Sequence, residues 1–343
     1  MDRLRILTWH VHGSYLDSLI RTGHEFFLPV AERDGRRTGG IEGWPWPRDR
    51  VHEVPESEVR DLDTDVVLFQ TDENWLDDGP RILSPAQLHG PRIYIEHDPP
   101  WDDPVEARHP VDDPDVMLVH VTAFNALMWD NGRTPVRVIE HGVVEPDGVA
   151  WTGELERGLV VINNLASRGR RLGADLVRHA RRSLPLDVVG MGAQAIGGIG
   201  EVRRVDLPAF SAKYRFFFHP VRYTSFGMAV CEAMMIGMPI VALATTEMPT
   251  VLENGRSGII HTDPERLIEG ARQLLVDPQA ARRLGAAARE IARERFAIDR
   301  FVRDWSQVFD EVIGRWGGRP AGRRATSPRT EVAPARAPEE VRA

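Results

Sequence analysis

The feature that most restricts this chain is an alternation of short aliphatic runs with longer amphipathic stretches, repeated in two series along 343 residues. The first series occupies residues 4–9, 65–70, 92–97, 116–121 and 136–140, and the second residues 159–163, 186–190, 216–219, 240–243 and 258–261. Runs this short, and apolar on both faces, read as strands of parallel sheets covered by helices. The pattern therefore predicts an α/β chain with two such sheets in series. The turn-rich stretch Glu145-Pro146-Asp147-Gly148 precedes the second series, so the hinge is expected near His141-Gly142-Val143. Residues 33–57 contain Gly39-Gly40 and Trp44-Pro45-Trp46-Pro47 without a sustained period, and read as a long loop. Residues 317–343, rich in Pro, Ala and Arg, have the composition of a disordered tail.

Charge and cysteine content remove several classes of function. Of a net charge of −8, residues 1–143 carry 14 arginines against 27 acidic side chains, and the remainder 29 basic against 24 acidic ones. The acidic part repels phosphate backbones, so no nucleic-acid partner is expected, whereas the basic part suits a phosphorylated ligand. Cys231 is the single cysteine, which excludes an internal disulfide and a cysteine-rich zinc site. Asp61-Leu62-Asp63-Thr64-Asp65 resembles a metal-binding Asp-x-Asp but precedes a strand instead of following one, and no metal is expected. No apolar run approaches the ~18–20 residues of a membrane span, and no secretory apolar region follows Met1. The expectation is a cytoplasmic protein, with peripheral membrane association left open.

Residues 216–242 read as strand, glycine-containing loop, short apolar helix, Gly-x-Pro and strand. At such a helix start the free N–H groups can hold a phosphate. Glu232, two turns further on, is placed to accept hydrogen bonds from ribose hydroxyls; the alternative is a plain βαβ unit with one solvated glutamate. His97 and Asp98 end a strand directly before Pro99-Pro100-Trp101 and so face the carboxyl edge of the sheet, either toward a ligand or as ordinary loop residues. Trp44, Trp46 and Trp101 could stack on a sugar or simply pack their loops. Val188-Val189-Gly190-Met191-Gly192-Ala193-Gln194-Ala195 is similar to a dinucleotide fingerprint. Its next acidic residues, Glu201 and Asp206, come too soon for a ribose contact about 20 residues on, which weighs against a nicotinamide oxidoreductase.

The stretch from Phe216 onward resembles the signature of the group 1 (family 4) retaining glycosyltransferases, carried by Thr224-Ser225-Phe226-Gly227-Met228 and Glu232-Ala233-Met234-Met235-Ile236-Gly237-Met238-Pro239-Ile240-Val241-Ala242. Met248-Pro249-Thr250-Val251-Leu252-Glu253-Asn254-Gly255 extends the match. Fainter likenesses lie at His12-Gly13-Ser14-Tyr15, at Ile93-Tyr94-Ile95-Glu96-His97-Asp98 and at Val138-Ile139-Glu140-His141-Gly142-Val143. The resemblance implies a GT-B fold, two Rossmann-like domains with parallel sheets facing an interdomain cleft. The expected parts are an acceptor domain at 1–142, a donor domain at 143–297 and a helix at 298–316 crossing back to the first domain.

It further implies an enzyme that moves a sugar from a nucleoside-diphosphate sugar to an unidentified acceptor with retention of anomeric configuration. The nucleotide sugar is then a substrate, and no cofactor is expected. The implied catalytic residues are His97, Arg168 and Arg171, and the implied donor-binding set is Thr224, Ser225, Phe226, Gly227, Met228, Ala229, Glu232 and Glu247. His12, Gly13 and Ser14 form the implied glycine loop. Three departures stand out: Thr224 replaces the first glutamate of the family's carboxylate pair, Thr246-Glu247 replaces two glycines, and the diphosphate clamp becomes Asn163-Asn164-Leu165-Ala166-Ser167-Arg168-Gly169-Arg170-Arg171. Competing readings are a sugar-nucleotide epimerase of the same fold and a non-catalytic sugar-nucleotide or glycan-binding protein.

Overall fold

The computed structural model of the protein describes residues 3–33, 36–41 and 43–316, so the expected tail at 317–343 lies outside the described residues. Among the described residues, thirteen strands form two sheets. The first contains β1 (Arg5–Thr8), β2 (Glu25–Arg33), β3 (Arg36–Gly39), β4 (Val51–Pro55), β5 (Val66–Phe69), β6 (Arg92–Glu96), β7 (Val116–His120) and β8 (Val136–Val138). Its order is β3-β2-β1-β5-β6-β7-β8, with β4 also pairing β2. The second contains β9 (Leu155–Val161), β10 (Leu186–Val189), β11 (Tyr214–His219), β12 (Ile240–Leu243) and β13 (Ile259–His261), in the order β10-β9-β11-β12-β13. Every pairing is parallel except that of β2 with β3.

Period-two alternation explains why these strands are apolar throughout. Ile6, Ile93 and Ile95 enter the core on one face of the first sheet, and Leu7 and Tyr94 the core on the other. In the second sheet Leu159 and Phe217 are separated in the same way from Val160, Phe216 and Phe218. Fully burying each such side chain contributes roughly 1.5–3 kcal/mol. The stretch 33–57 is not the continuous loop expected of it. It contains β3 and β4, which widen the first sheet beyond β2. The reason is local: β4 is a short outer strand with only Val51 and Val54 buried, so no apolar run announces it.

Beyond the second sheet, the helix Ile298–Trp316 inserts Phe301, Trp305, Val308, Phe309 and Val312 into the core of the first. These residues share one helical face. Two segments pass between the sheets side by side, with the Val143 N–H donating to the Phe296 carbonyl at 2.8 Å. Gly142 is required at that crossing, since a Cβ there would lie 2.3 Å from Phe301 Cβ. Contacts across the cleft set the carboxyl edges of the two sheets face to face: Asp98 with Thr224, Phe124 with Glu247 and Ser14 with Arg204. No helix of the described residues is long and apolar enough to cross a membrane.

Candidate functional site

On the second domain the cleft is built around the helix Met228–Met235, which follows β11 and starts at Gly227 with no side chain capping it. The first amides of such a helix have no intrahelical partner and form the positive end of its dipole. Its far end closes by a Schellman arrangement: Met238 N–H donates to the Ala233 carbonyl and Gly237 N–H to that of Met234, with Gly237 at φ +84°. Gly-x-Pro in the sequence is that cap, with Pro239 ending the turn ahead of β12. Phe226 is buried beneath the loop, and its carbonyl accepts from His141 Nε2 at 2.7 Å, tying the loop to the crossing segment.

Arg168 and Arg171 lie on a segment that packs against the loop leading into this helix. The Arg171 carbonyl accepts from the amides of Arg222 and Tyr223, and a Cβ on Gly173 would lie 2.1 Å from the Pro220 carbonyl oxygen, so the two loops touch directly. Neither arginine pairs with a carboxylate among the described residues. The Arg171 guanidinium instead lies 3.3 Å over the ring of Trp101, which belongs to the first domain. Burial and the adjacent Arg168 lower the Arg171 pKa, with Asp98 opposing. Asn164, at φ +54°, turns the chain into the helix Leu165–Arg168.

The first domain faces this with rings. His12 and His97 lie 4.1 Å apart between centroids, and Tyr15 meets His97 edge-on at 4.9 Å. Gln70 donates its amide to the Trp9 carbonyl at 2.7 Å, so its oxygen faces His97 Nε2 at 3.2 Å. His97 therefore donates through Nε2 and keeps the Nδ1 lone pair. Burial holds its pKa well below the usual range, and the same cause lowers His12 and brings His141 to about 4. All three rings are neutral at pH 7.

The remaining candidates take distinct places. Glu232 is partly buried with its pKa raised by burial, Arg204 opposing and Asp17 adding. Arg204, which the sequence did not point to, joins the two domains: it lies 3.5 Å from Glu232 and 3.8 Å from Asp17, donates to Ser14 Oγ at 2.5 Å and sits 5.1 Å over Trp44. Gly13 is needed because a Cβ would meet the Trp44 ring at 2.1 Å. Trp46 is buried, its Nε1 donating to Asp17, while Trp101 is 52% exposed. Both Glu247 oxygens are engaged, one by Phe124 N–H at 2.8 Å and the other by Thr250 Oγ1 at 2.5 Å. Thr246 before it holds φ +50°, a conformation that costs a β-branched residue on the order of 1 kcal/mol and that glycine would adopt freely. Thr224 reaches Asp98 across the cleft, Ser225 follows it in the loop, and Met228 and Ala229 begin the helix.

Gly190 and Gly192 lead into a short 3-10 turn, Ala193–Ile196, and not into a longer helix whose dipole could hold a pyrophosphate. Asp65 accepts from the Arg5 amide and Asp63 pairs with the Arg5 side chain. Among the described residues no cluster has the composition of a metal site.

Residues 194–291 match the family model described as Glycosyl transferases group 1. N-acetyl-alpha-D-glucosaminyl L-malate synthase of Bacillus anthracis is 30% identical over 91 residues, 26% of this chain and 24% of that protein. D-inositol 3-phosphate glycosyltransferase of Nocardioides is 30% identical over 149 residues, 42% and 32% of the two chains. The matched part thus spans a third or less of these relatives' length. Among solved structures, sucrose-phosphate synthase of Thermosynechococcus elongatus superposes with a TM-score of 0.65 at 15% identity, over 91% of this chain and 100% of that one. Anabaena HepE in complex with UDP and glucose gives 0.63 at 14%, over 90% and 99%. The chain has the GT-B fold, and its segment 194–291 carries the sequence pattern of the group 1 glycosyltransferases.

Proposed function

We propose that the protein transfers a sugar from a nucleoside-diphosphate donor to an acceptor held mainly by the first domain, with retention at the anomeric carbon. The observation that carries this reading is an uncapped helix start at Gly227 whose preceding loop packs against a segment bearing two arginines that lack carboxylate partners among the described residues, on a cleft that the other domain covers. The amides of Gly227, Met228 and Ala229 and the guanidinium groups of Arg168 and Arg171 receive the diphosphate. Guanidinium forks match its oxygens. Glu232 accepts from the ribose hydroxyls, exchanging its contact with Arg204 for them. His97, neutral and with Nδ1 free to accept, takes a hydrogen bond from a sugar hydroxyl.

The bond from the anomeric carbon to the diphosphate oxygen breaks, the bond to the acceptor oxygen forms on the same face, and a donor phosphate oxygen takes the acceptor proton. No side chain has to act as nucleophile. The leading catalytic contribution is stabilisation of the charge that develops on the departing diphosphate. Covering the site with the first domain keeps water from competing as acceptor. UDP, present in one structural neighbour, is the first nucleotide to try. Calorimetry on Glu232→Ala is expected to show at least tenfold weaker UDP binding, about 1.4 kcal/mol; an unchanged affinity would remove Glu232 from the nucleotide site.

A further inference from the structure

The proposed reaction needs a carboxylate near the transferred sugar, both to accept hydrogen bonds from its hydroxyls and to offset positive charge at the anomeric carbon. The position where the family pattern supplies it is Thr224. Glu247 is held in place by an amide on one oxygen and a hydroxyl on the other, which leaves only part of its acceptor capacity for a ligand. Glu232 faces Arg204 and is already assigned to the ribose in the proposed reading.

We propose, on the basis of that glycosyl-transfer reading, that Asp98 of the first domain supplies the missing carboxylate. Its Oδ1 accepts from Thr224 Oγ1 across the cleft at 3.3 Å, so the acid group sits against the residue that took the glutamate's place. Asp98 has no ion pair among the described residues, and its Oδ2 has no hydrogen bond there. Its charge acts on both Arg171, the diphosphate-side cation, and His12 of the glycine loop. Asp98 thus lies near both the diphosphate-side cation and the glycine loop of the first domain.

The backbone of the residue is anchored on both sides. Asp98 N–H donates to Glu96 Oε1 at 2.8 Å, and its carbonyl accepts from Trp129 Nε1 at 2.9 Å. Glu96 is fixed in turn by His109. Because His109 Nδ1 accepts from Val111 N–H, its Nε2 must carry the proton donated to Glu96 Oε2 at 3.0 Å. Such support from behind gives a functional side chain the precision that transfer chemistry demands. A carboxylate on this side has a consequence that one on the donor domain lacks: the sugar is engaged only when the domains close, while the nucleotide binds regardless.

The test moves the charge across the cleft in the full-length protein. Glucose and N-acetylglucosamine donors of uridine, guanosine and adenosine diphosphate are ranked by thermal shift, and the best one is followed for release of free sugar. If none shifts the protein, the glycosyl-transfer reading itself falls. With a donor in hand, Asp98→Asn is expected to slow sugar release at least a hundredfold while affinity for the bare nucleoside diphosphate is retained or increased, because the Asp98 charge no longer competes for Arg171. Asp98→Asn combined with Thr224→Glu is expected to recover at least tenfold over the single variant, since it restores one carboxylate at the same spot. Release by Asp98→Asn within tenfold of the unaltered protein, or a double variant no better than the single one, would overturn the assignment.

Discussion

Two groups of arginines on this molecule differ in what faces them. At the crossing between the domains, Arg289 and Arg293 both reach Glu145, Arg295 pairs with Glu140, and Arg300 donates to the carbonyl oxygens of Glu140 and His141. At the cleft, Arg168 and Arg171 adjoin each other with no carboxylate partner among the described residues, and one lies over an indole ring. Paired cations hold segments together. Adjacent unpaired ones repel, and a fold keeps them where a ligand brings the counter-charge. The sharpest way to break this contrast is the double variant Arg168→Ala/Arg171→Ala. Two charge-assisted contacts contribute roughly 1.5–3 kcal/mol each, so UDP binding by calorimetry is expected to weaken more than a hundredfold. Folding stability in urea should change by less than about 1 kcal/mol, because lost stacking on Trp101 and relieved repulsion oppose each other. Binding within tenfold of the unaltered protein would show these cations to be ordinary surface charge.

Protonation separates the arginines, which do not titrate, from the histidine wall opposite them. His141 has a native pKa of about 4 against an ordinary 6.5, lowered by burial, and His97 is displaced in the same direction. Below pH 6.5 the unfolded chain therefore takes up protons that the native one refuses, so stability falls with pH through the window from 6.5 to about 4. Glu96 runs the other way: burial raises it to about 8, so its contribution is lost as pH rises from about 4.5 to 8. For His141 alone the acid loss amounts to about 1.6 kcal/mol between pH 6.5 and 5. Urea titrations at the two pH values are expected to show a gap smaller by that amount in His141→Gln, whose amide can still donate to the Phe226 carbonyl. An equal gap in both proteins would mean that His141 is already protonated in the native state.

The parts of the fold that could be read ahead of the structure are those whose signal is local. Strands such as Val116–His120 are buried on both faces and so appear as unbroken aliphatic runs. The end of the helix that begins after Gly227 is marked by Gly237, whose positive φ calls for glycine. Strand β2 escaped notice because Pro29 interrupts it and Glu25 and Arg33 close it. The outer strands β3 and β4 escaped because they carry little apolar surface. Arg204 left no trace at all: its hydroxyl partner Ser14 is 190 positions away, and nothing near Arg204 in sequence distinguishes it from the arginine beside it. The Asp98–Thr224 contact, 126 positions apart, is equally silent. Residues that meet only when two domains face each other belong to the topology, and a linear pattern does not encode their meeting.

The smallest expected effect lies at the other arginine group and sharpens the comparison from that side. Arg295 pairs with Glu140 and donates to the Thr250 carbonyl at 2.6 Å, with the two charged side chains about a quarter exposed, at 27% and 25%. Solvent and salt screen such a pair, so Arg295→Ala is expected to cost only about 1 kcal/mol in urea denaturation. Part of that cost should disappear in 1 M salt, where the Debye length falls to about 3 Å. UDP affinity should stay within twofold, because Arg295 reaches the cleft only at second hand, through the Thr250 backbone to Glu247. Were Arg295→Ala to weaken UDP binding as much as the double variant does, the presence of a carboxylate partner would no longer tell a binding arginine from a structural one.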